Sequence, residues 1–444
     1  MPRLFGTDGV RGVANRELTP DLALVLGRAA GLVLAPERGE VVVGRDTRVS
    51  GPMLEGALVA GLCSAGADVR TVGIVPTPAV AWLTVDEGAA AGAMISASHN
   101  PVGDNGIKFF SDEGTKISGE LEDKIEAIIE EPDGDLPTGS EVGSSEALIG
   151  GIDRYVKHLI GAISSPLTGL RVVLDCAHGS AWQVAPRAFQ EAGADIVVLH
   201  AEPDGTRINV DCGSTSTGAL ARRVVSEGAD VGIAFDGDAD RVIAVDERGV
   251  EVDGDRIIAM SALALHEAGE LDHDIVVATV MANLGFHRAL EQHGISVVST
   301  PVGDKFVAEA MAAHGAVLGG EQSGHIIWAR HATTGDGVLT ALKIAEALSS
   351  SDRPLSELSD VFEPYPQVLI NVRVASKEGL DTAEDLWDEI GRVEEQLRDD
   401  GRVLVRASGT EPLVRVMVEA ADATTAARTA EHLAEAVTHA LGSG

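Results

Sequence analysis

The 444-residue chain has few cysteines, few aromatic residues and no long apolar run. Its three cysteines, Cys63, Cys176 and Cys212, are far apart and odd in number. We therefore expect neither a disulfide framework nor a cysteine metal knot, as in a protein of the reducing cytoplasm. No apolar run reaches the length of about 18 residues that a membrane span needs. The opening residues, "MPRLFGTDGV", lack the apolar core of a secretory signal.

Basic residues are also scarce, with 34 Lys and Arg against 69 Asp and Glu and a formal net charge of −35. Such a charge repels nucleic acid and anionic membranes, so neither is an expected partner. The excess of acid is explained either by an ordinary solvated acidic surface or by adaptation to high salt, which screens self-repulsion. If the substrate is an anion, we expect the binding site to be positively charged. The composition, with 45% hydrophobic residues, indicates a globular protein.

Short Val, Ile and Ala runs alternate with polar tips and helical patterns along most of the chain, as in "EVVVGRDTR", "LRVVLDCAHGSA" and "VGIAFDGDADR". This alternation predicts an α/β fold with sheets covered by helices on both faces. Thr19 and Ser50 are the predicted N-caps of two early helices. The last part differs, because "GRVLVRASGTEPLVRVMVEA" predicts an antiparallel strand pair. Three related α/β units, 1–147, 148–248 and 249–364, and a C-terminal α+β domain, 365–444, are therefore expected.

The polar tip "FDGDADR" places Asp236, Asp238 and Asp240 at alternate positions after an apolar strand. On a curved loop, three such carboxylates can face one hard cation such as Mg²⁺ or Ca²⁺. An EF-hand is excluded, because Arg241 occupies the position of its obligatory glycine and both flanks are predicted strands. A solvated acidic turn is the alternative. Three carboxylates would leave coordination positions open for a phosphate.

Two further tips carry binding groups. The stretch "RASGTEPLVRV" combines two arginines with hydroxyls and turn amides, which suits a phosphate dianion. The candidate phosphate-binding residues are Arg406, Ser408, Gly409, Thr410 and Arg415. The stretch "GGEQSGH" offers groups for sugar hydroxyls and one imidazole that could transfer protons. Its candidate residues are Glu321, Gln322, Ser323 and His325.

Ser98, in "AMISASHNPVGDNGIKFF", could be a nucleophile or a turn-capping hydroxyl. Adjacent side chains on an extended segment point to opposite faces, so we expect His99 to be poorly placed as its base. No G-x-S-x-G motif supports a Ser-His-Asp hydrolase. If Ser98 reacts, a metal at the aspartate tip and Lys108 are the available activators.

In order along essentially the whole chain, from "FGTDGVRG" to "RASGTEPLVRVMVE", these motifs resemble the α-D-phosphohexomutase family. The resemblance implies four domains around a central cleft. It makes Ser98 the phosphoserine, whose phosphate joins Asp236, Asp238 and Asp240 in binding one Mg²⁺ per subunit. The residues implied near the transferring phosphate are Lys108, Arg241 and Arg11. Glu321 and Ser323 would bind sugar hydroxyls, and the C-terminal tip would bind the phosphate that does not react.

The resemblance further implies a reversible transfer between the 6- and 1-positions of a hexose phosphate through a bisphosphorylated sugar. Gln322 favours an amino sugar over glucose or mannose, the alternatives within the family. The general base stays open between Lys108 and His325, and a hexose bisphosphate activator is possible. A metal-dependent phosphohydrolase and a non-catalytic sugar-phosphate binder are alternatives of other classes. We expect a cytoplasmic monomer or homodimer.

Overall fold

The computed structural model describes residues 3–6, 8–131, 135–377, 379–408 and 412–442. It divides the chain into two compact units, Met1–Met281 with Gly294–Val361 and Ala282–His293 with Phe362–Gly444. Among the described residues, the first unit contains three sheets and the second contains one. Two predicted phosphate-binding residues, Gly409 and Thr410, lie outside the described residues.

The first sheet is formed by the N-terminal third of the chain. Its elements are β1 (Val10–Val13), α1 (Pro20–Leu34), β2 (Glu40–Arg45), α2 (Gly51–Ser64), β3 (Asp68–Ile74), α3 (Thr77–Glu87), β4 (Ala91–Ile95), β5 (Asp104–Ser111), α4 (Gly119–Glu130) and β6 (Ser145–Ala147). The strand order is β1-β5-β4-β2-β3-β6. Strands β2, β3, β4 and β6 are parallel, and β5 and β1 form an antiparallel edge.

The second sheet has the order β11-β10-β9-β7-β8. Its elements are α5 (Gly151–Gly161), β7 (Arg171–Asp175), α6 (Ala181–Glu191), β8 (Asp195–Leu199), α7 (Gly218–Glu227), β9 (Val231–Phe235), β10 (Val242–Asp246) and β11 (Glu251–Val252). Strands β7, β8 and β9 are parallel, whereas β10 is antiparallel to both of its neighbours. The β9–β10 connection therefore projects from the carboxyl edge of the parallel strands, where ligand sites of such sheets are found.

The third sheet has the order β13-β12-β14-β15. Its elements are α8 (Gly254–Glu267), β12 (Ile275–Thr279), β13 (Ser296–Thr300), α10 (Asp304–His314), β14 (Leu318–Gly320), β15 (Ile326–Trp328), α11 (Gly337–Ser349) and α12 (Leu355–Leu358). Helix α9 (Leu284–Gln292) lies between β12 and β13 in sequence but belongs to the second compact unit. Strands β12, β13 and β14 are parallel, and β15 pairs antiparallel with β14.

The second compact unit also contains an antiparallel sheet in the order β16-β18-β17. Its further elements are β16 (Gln367–Arg373), α13 (Glu384–Leu397), β17 (Gly401–Ala407), β18 (Leu413–Ala420) and α14 (Ala423–Leu441). The pairing of β17 with β18 confirms the predicted strand pair. No helix in the described part of the chain has both the length and the hydropathy to cross a membrane.

The packing explains why these segments adopt their elements. Val41, Val42 and Val43 of β2 are almost fully buried, as expected for a strand with helices on both faces. Thr19 accepts a hydrogen bond from the backbone N–H of Leu22 and caps α1 as predicted. The prediction for Ser50 is wrong, because its backbone is helical and its hydroxyl accepts a hydrogen bond from Asn105 instead.

Candidate active site

Ser98 follows the fully buried strand β4 and is itself only 1% exposed. Its φ of 51° places it in the left-handed region, which turns the chain sharply at the strand end. The Ser98 hydroxyl donates a hydrogen bond to Asp236 Oδ2 at 2.5 Å. The structure therefore brings the serine tip of the first sheet onto the aspartate tip of the second.

The expected separation of Ser98 from His99 is wrong. His99 Nδ1 lies 3.2 Å from Ser98 Oγ, because Ser98 is left-handed rather than extended. The guanidinium of Arg241 lies 3.2 Å from the same nitrogen. Burial, together with Arg241 and Arg11, lowers the pKa of His99 to about 4. The imidazole is therefore neutral at neutral pH.

A buried arginine, absent from the sequence predictions, holds the Ser98 loop in place. Arg48 is fully buried and donates hydrogen bonds to the backbone carbonyls of Ser98, Asn100, Pro101 and Asp104. It also forms a buried ion pair with Asp46 at 3.0 Å. The stretch "GRDTR" at the end of β2 could have indicated this pair. An arginine and an aspartate next to a buried strand are stable in the interior only when they form an ion pair.

The aspartate tip connects β9 to β10 and is buried. Asp236 and Asp238 are 0% exposed and Asp240 is 3% exposed. One oxygen from each lies within 4.8 Å of the others. Burial, with Asp240 and Asp238, raises the pKa of Asp236 well above its usual range. Among the described residues, Asp238 Oδ1 and Asp240 Oδ1 accept no hydrogen bond although they are buried. These orphaned oxygens fit a divalent cation.

Two other residues orient the aspartate tip. Thr77 donates its hydroxyl to Asp238 Oδ2 at 2.6 Å and its N–H to the Asp238 carbonyl at 2.9 Å. Lys108 Nζ lies 2.8 Å from Asp238 Oδ2 and 3.5 Å from Asp240 Oδ2. Burial opposes the Lys108 charge, but the neighbouring aspartates outweigh it and raise the pKa of the ammonium. The sequence did not indicate a role for Thr77, because a threonine at the first position of a helix is common without any functional contact.

Arg11 and Arg241, the other predicted cations, lie at the edges of this cluster. Arg11 is paired with Asp8 and reaches the side chain of Asn100 at 3.5 Å. Arg241 lies 3.9 Å from Asp240 and its side chain is partly buried; burial opposes its charge, but Asp240 and Asp236 outweigh this and raise its pKa. Their position beside the serine and aspartate tips suits a transferring phosphoryl group.

The "GGEQSGH" loop of the third sheet contacts the same cluster. His325 Nδ1 lies 3.6 Å from Asp240 Oδ2, and its Nε2 accepts a hydrogen bond from the Gly335 N–H. Ser323 donates to Glu321 at 3.2 Å. The Gln322 amide lies 3.3 Å from both Asp253 and Asp255. Two residues absent from the predictions, Lys116 and Asp304, form an ion pair beside His325.

The expected positive region is not found among these residues. Around Ser98 and the aspartate tip, acidic side chains outnumber basic ones. The protein groups alone would therefore not attract an anionic substrate. The bases are Arg11, Lys108, Lys116 and Arg241, and the acids are Asp8, Asp236, Asp238, Asp240, Asp304 and Glu321. A divalent cation at the aspartate tip would offset the difference.

The C-terminal tip lies in the second compact unit. Arg406 of β17 and Arg415 of β18 are directly opposite each other in the sheet. Burial and the charge of Arg415 lower the pKa of Arg406. Like charges on paired strands repel, so an anion between them would be stabilising. Ser408 is 3% exposed and its N–H bonds the Leu413 carbonyl at 2.9 Å.

Family models of four successive domains match the chain in order. They are described as phosphoglucomutase/phosphomannomutase alpha/beta/alpha domain I at residues 2–135, domain II at 153–249, domain III at 253–365 and C-terminal domain at 369–436. Each match contains most of the strands of one of the four sheets described above.

Named relatives match over the full length. The chain is 54% identical over 453 residues to a phosphoglucosamine mutase of Streptomyces griseus, covering 100% of both proteins. It is also 54% identical to a phosphoglucosamine mutase of Moorella thermoacetica, covering 95% of this chain and 96% of the relative. A solved phosphoglucomutase/phosphomannomutase family protein from Burkholderia thailandensis is 26% identical, with a TM-score of 0.84 and coverage of 99% and 97%.

Proposed function

Because the chain belongs to the phosphoglucomutase/phosphomannomutase family, we propose that it is an isomerase interconverting glucosamine 6-phosphate and glucosamine 1-phosphate. Family membership confirms the resemblance drawn from the motifs. The choice of sugar is supported by the relatives named phosphoglucosamine mutase that match the whole chain. The observation that supports the site is the 2.5 Å contact between Ser98 Oγ and Asp236.

The aspartate tip is proposed to hold one Mg²⁺ through Asp236, Asp238 and Asp240, with the phosphate of Ser98 as a further ligand. The orphaned oxygens of Asp238 and Asp240 support this assignment. When bound, such an ion neutralises charge on the transferring phosphoryl group. Lys108 and Arg241 are proposed to stabilise the same charge from the sides, and Thr77 to fix the Asp238 carboxylate.

The reaction is proposed to have two half-reactions. In the first, the bond between Ser98 Oγ and phosphorus breaks and the free sugar hydroxyl oxygen bonds to phosphorus. The hydroxyl proton passes to a base, Oγ regains a proton, and a bisphosphorylated sugar results. In the second, after the sugar has reoriented, Ser98 takes the other phosphoryl group. Lys108 and His325 are the candidate bases, and Lys108 can act as one only after losing the proton that the neighbouring aspartates stabilise. Comparing the pH profiles of Lys108→Met and His325→Ala distinguishes them.

Glu321, Gln322 and Ser323 are proposed to bind the sugar, and the C-terminal tip to bind the non-reacting phosphate. The hydrogen bond that the Ser323 hydroxyl donates to the Glu321 carboxylate supports a preformed acceptor for sugar hydroxyls. The paired guanidinium groups of Arg406 and Arg415 support the phosphate assignment. The expected domain boundaries, 1–147, 148–248, 249–364 and 365–444, also stay proposals, as does a hexose bisphosphate activator.

A substrate panel with phosphopeptide mapping tests the proposal. We expect phosphate on Ser98 and higher kcat/KM for glucosamine phosphates than for glucose or mannose phosphates. Ser98→Ala should abolish turnover, because no oxygen remains to carry the phosphoryl group. Ser111→Ala is the matched control, since that hydroxyl bonds Thr115 outside the site. Near-normal activity of Ser98→Ala would contradict the assignment, and release of free phosphate would indicate a phosphohydrolase instead.

A further inference from the structure

The second sheet carries another cluster of metal-binding side chains, separate from the aspartate tip. Asp175 ends β7, His200 follows β8, and Cys212 lies in the connection from β8 to α7. One ligand atom of each lies within 4.8 Å of the others. Asp175 and Cys212 are 0% exposed, while the His200 side chain is 24% exposed. The cluster is therefore buried on one side and accessible at the imidazole.

One buried atom of this cluster, Asp175 Oδ2, has lone pairs that no hydrogen bond uses. Asp175 Oδ1 accepts a hydrogen bond from the Ala177 N–H at 3.0 Å, but the fully buried Oδ2 accepts none. His200 Nδ1 lies 3.0 Å from Asp175 Oδ1 and pairs with this carboxylate when the imidazole is protonated, so a metal ion would replace that proton. A buried carboxylate oxygen without a donor is destabilising unless a cation or another donor approaches it.

We propose that Asp175, His200 and Cys212 bind a divalent transition-metal ion of the Zn²⁺ class. A carboxylate oxygen, an imidazole nitrogen and a thiolate sulfur are all ordinary Zn²⁺ ligands, and the thiolate disfavours Mg²⁺ and Ca²⁺. Binding converts the Cys212 thiol to a thiolate and releases its proton to solvent.

The site would stabilise a segment that supports the catalytic serine. The connection between β8 and α7 spans residues 200–217 and has no regular strand or helix of its own. Within it, Asn209 donates its side-chain amide to the Ser98 carbonyl at 2.9 Å and its N–H to the Ala177 carbonyl at 3.0 Å. A metal ion joining the ends of β7 and β8 to Cys212 would hold this connection against the Ser98 loop. Its role is positional, because none of its three ligands contacts the serine or aspartate tips in a hydrogen bond that the structure describes.

Cobalt substitution tests the site directly. The full-length protein is stripped of metal with a chelator, supplied with excess Mg²⁺ and then titrated with Co²⁺. We expect one equivalent to give a thiolate-to-cobalt charge-transfer absorption, which the all-carboxylate aspartate tip cannot produce. Zn²⁺ should abolish the absorption by displacing Co²⁺. The absorption should disappear in Cys212→Ser and persist in Cys63→Ser and Cys176→Ser.

A second measurement needs no variant and covers the case in which Cys212→Ser does not fold. The wild-type protein is alkylated at a urea concentration below its unfolding transition, where local opening exposes the buried Cys212 thiol, and is then mapped by peptide mass with and without Zn²⁺. We expect Zn²⁺ to slow modification of Cys212 and to leave the rate at Cys63 unchanged. The proposal is overturned if Co²⁺ gives no thiolate absorption, if the absorption survives Cys212→Ser, or if Zn²⁺ leaves Cys212 alkylation unchanged.

Discussion

At the scale of single residues, the guanidinium of Arg48 fixes the conformation of the Ser98 loop. Its hydrogen bonds to four loop carbonyls and to Asp46 are made in a fully buried setting. Ser96 adds to the same network, because its hydroxyl donates to Asp46 and accepts the N–H of Ser98. The left-handed conformation of Ser98 is therefore held by charge-assisted hydrogen bonds.

Arg48→Met should lower the free energy of unfolding by about 3–5 kcal/mol, because it leaves Asp46 buried without its counter-charge. Arg45→Met is the matched control, since Arg45 pairs with Glu55 at a partly exposed site. Its expected cost is at most about 1 kcal/mol. Urea unfolding of both variants measures the difference, and equal costs would contradict the role given to Arg48.

At this scale the sequence indicates candidate side chains but not the backbone conformations that bring them together. Ser98 and Asp236 were chosen as candidates because polar side chains directly after apolar strands are conspicuous, and the structure brings these two side chains into contact. The contact of His99 with Ser98 was not predicted, because the amino-acid sequence does not indicate that Ser98 has a left-handed backbone conformation. Ala239 has a φ of 55° on the aspartate tip, which sequence also does not indicate for an alanine.

At the scale of elements, helix α11 begins with an unusual cap. Asp336 accepts the N–H of Leu339 at 2.9 Å and the hydroxyl of Tyr155 at 2.6 Å. Burial raises the pKa of this carboxyl to about 6. The folded state therefore holds the proton more tightly than the unfolded state does. The protonated cap stabilises the fold at acidic pH, and this contribution is lost as the pH rises through about 6.

Asp336→Asn should remove this pH dependence, because an amide keeps the cap acceptor and cannot ionise. Relative to the wild type, the variant should gain about 3 kcal/mol in unfolding free energy between about pH 4 and pH 7. Denaturant unfolding across that range measures the gain. Asp422→Asn, which alters the exposed cap of α14, is the control and should not show this gain over the same pH range. A constant difference between Asp336→Asn and wild type would refute the effect.

Element types followed from the periodicity of apolar residues, so the alternating α/β units and the C-terminal strand pair were predicted correctly. The Ser50 cap was not, because a serine before a helix can bond elsewhere, here to Asn105. The placement of α9 with the C-terminal sheet had no sequence signal, since it depends on packing between distant segments.

At the scale of the whole molecule, the net charge of −35 sets the response to salt. If the acidity is an adaptation to high salt, added KCl should raise the unfolding temperature and the solubility by screening self-repulsion. NaCl at equal ionic strength is the control, because screening does not depend on the cation's identity. Full solubility and activity without salt would contradict the adaptation.

The three tips that meet around Ser98 come from distant parts of the chain. Thr77 contacts Asp238, the Val242 N–H bonds the Gly324 carbonyl, and Lys116 contacts Asp304. During synthesis, a nascent polypeptide that has left the ribosome only as far as Met281 has the serine but not Asp304 or His325. Such contacts between remote segments also slow folding. Truncated translation products would therefore lack a finished catalytic centre.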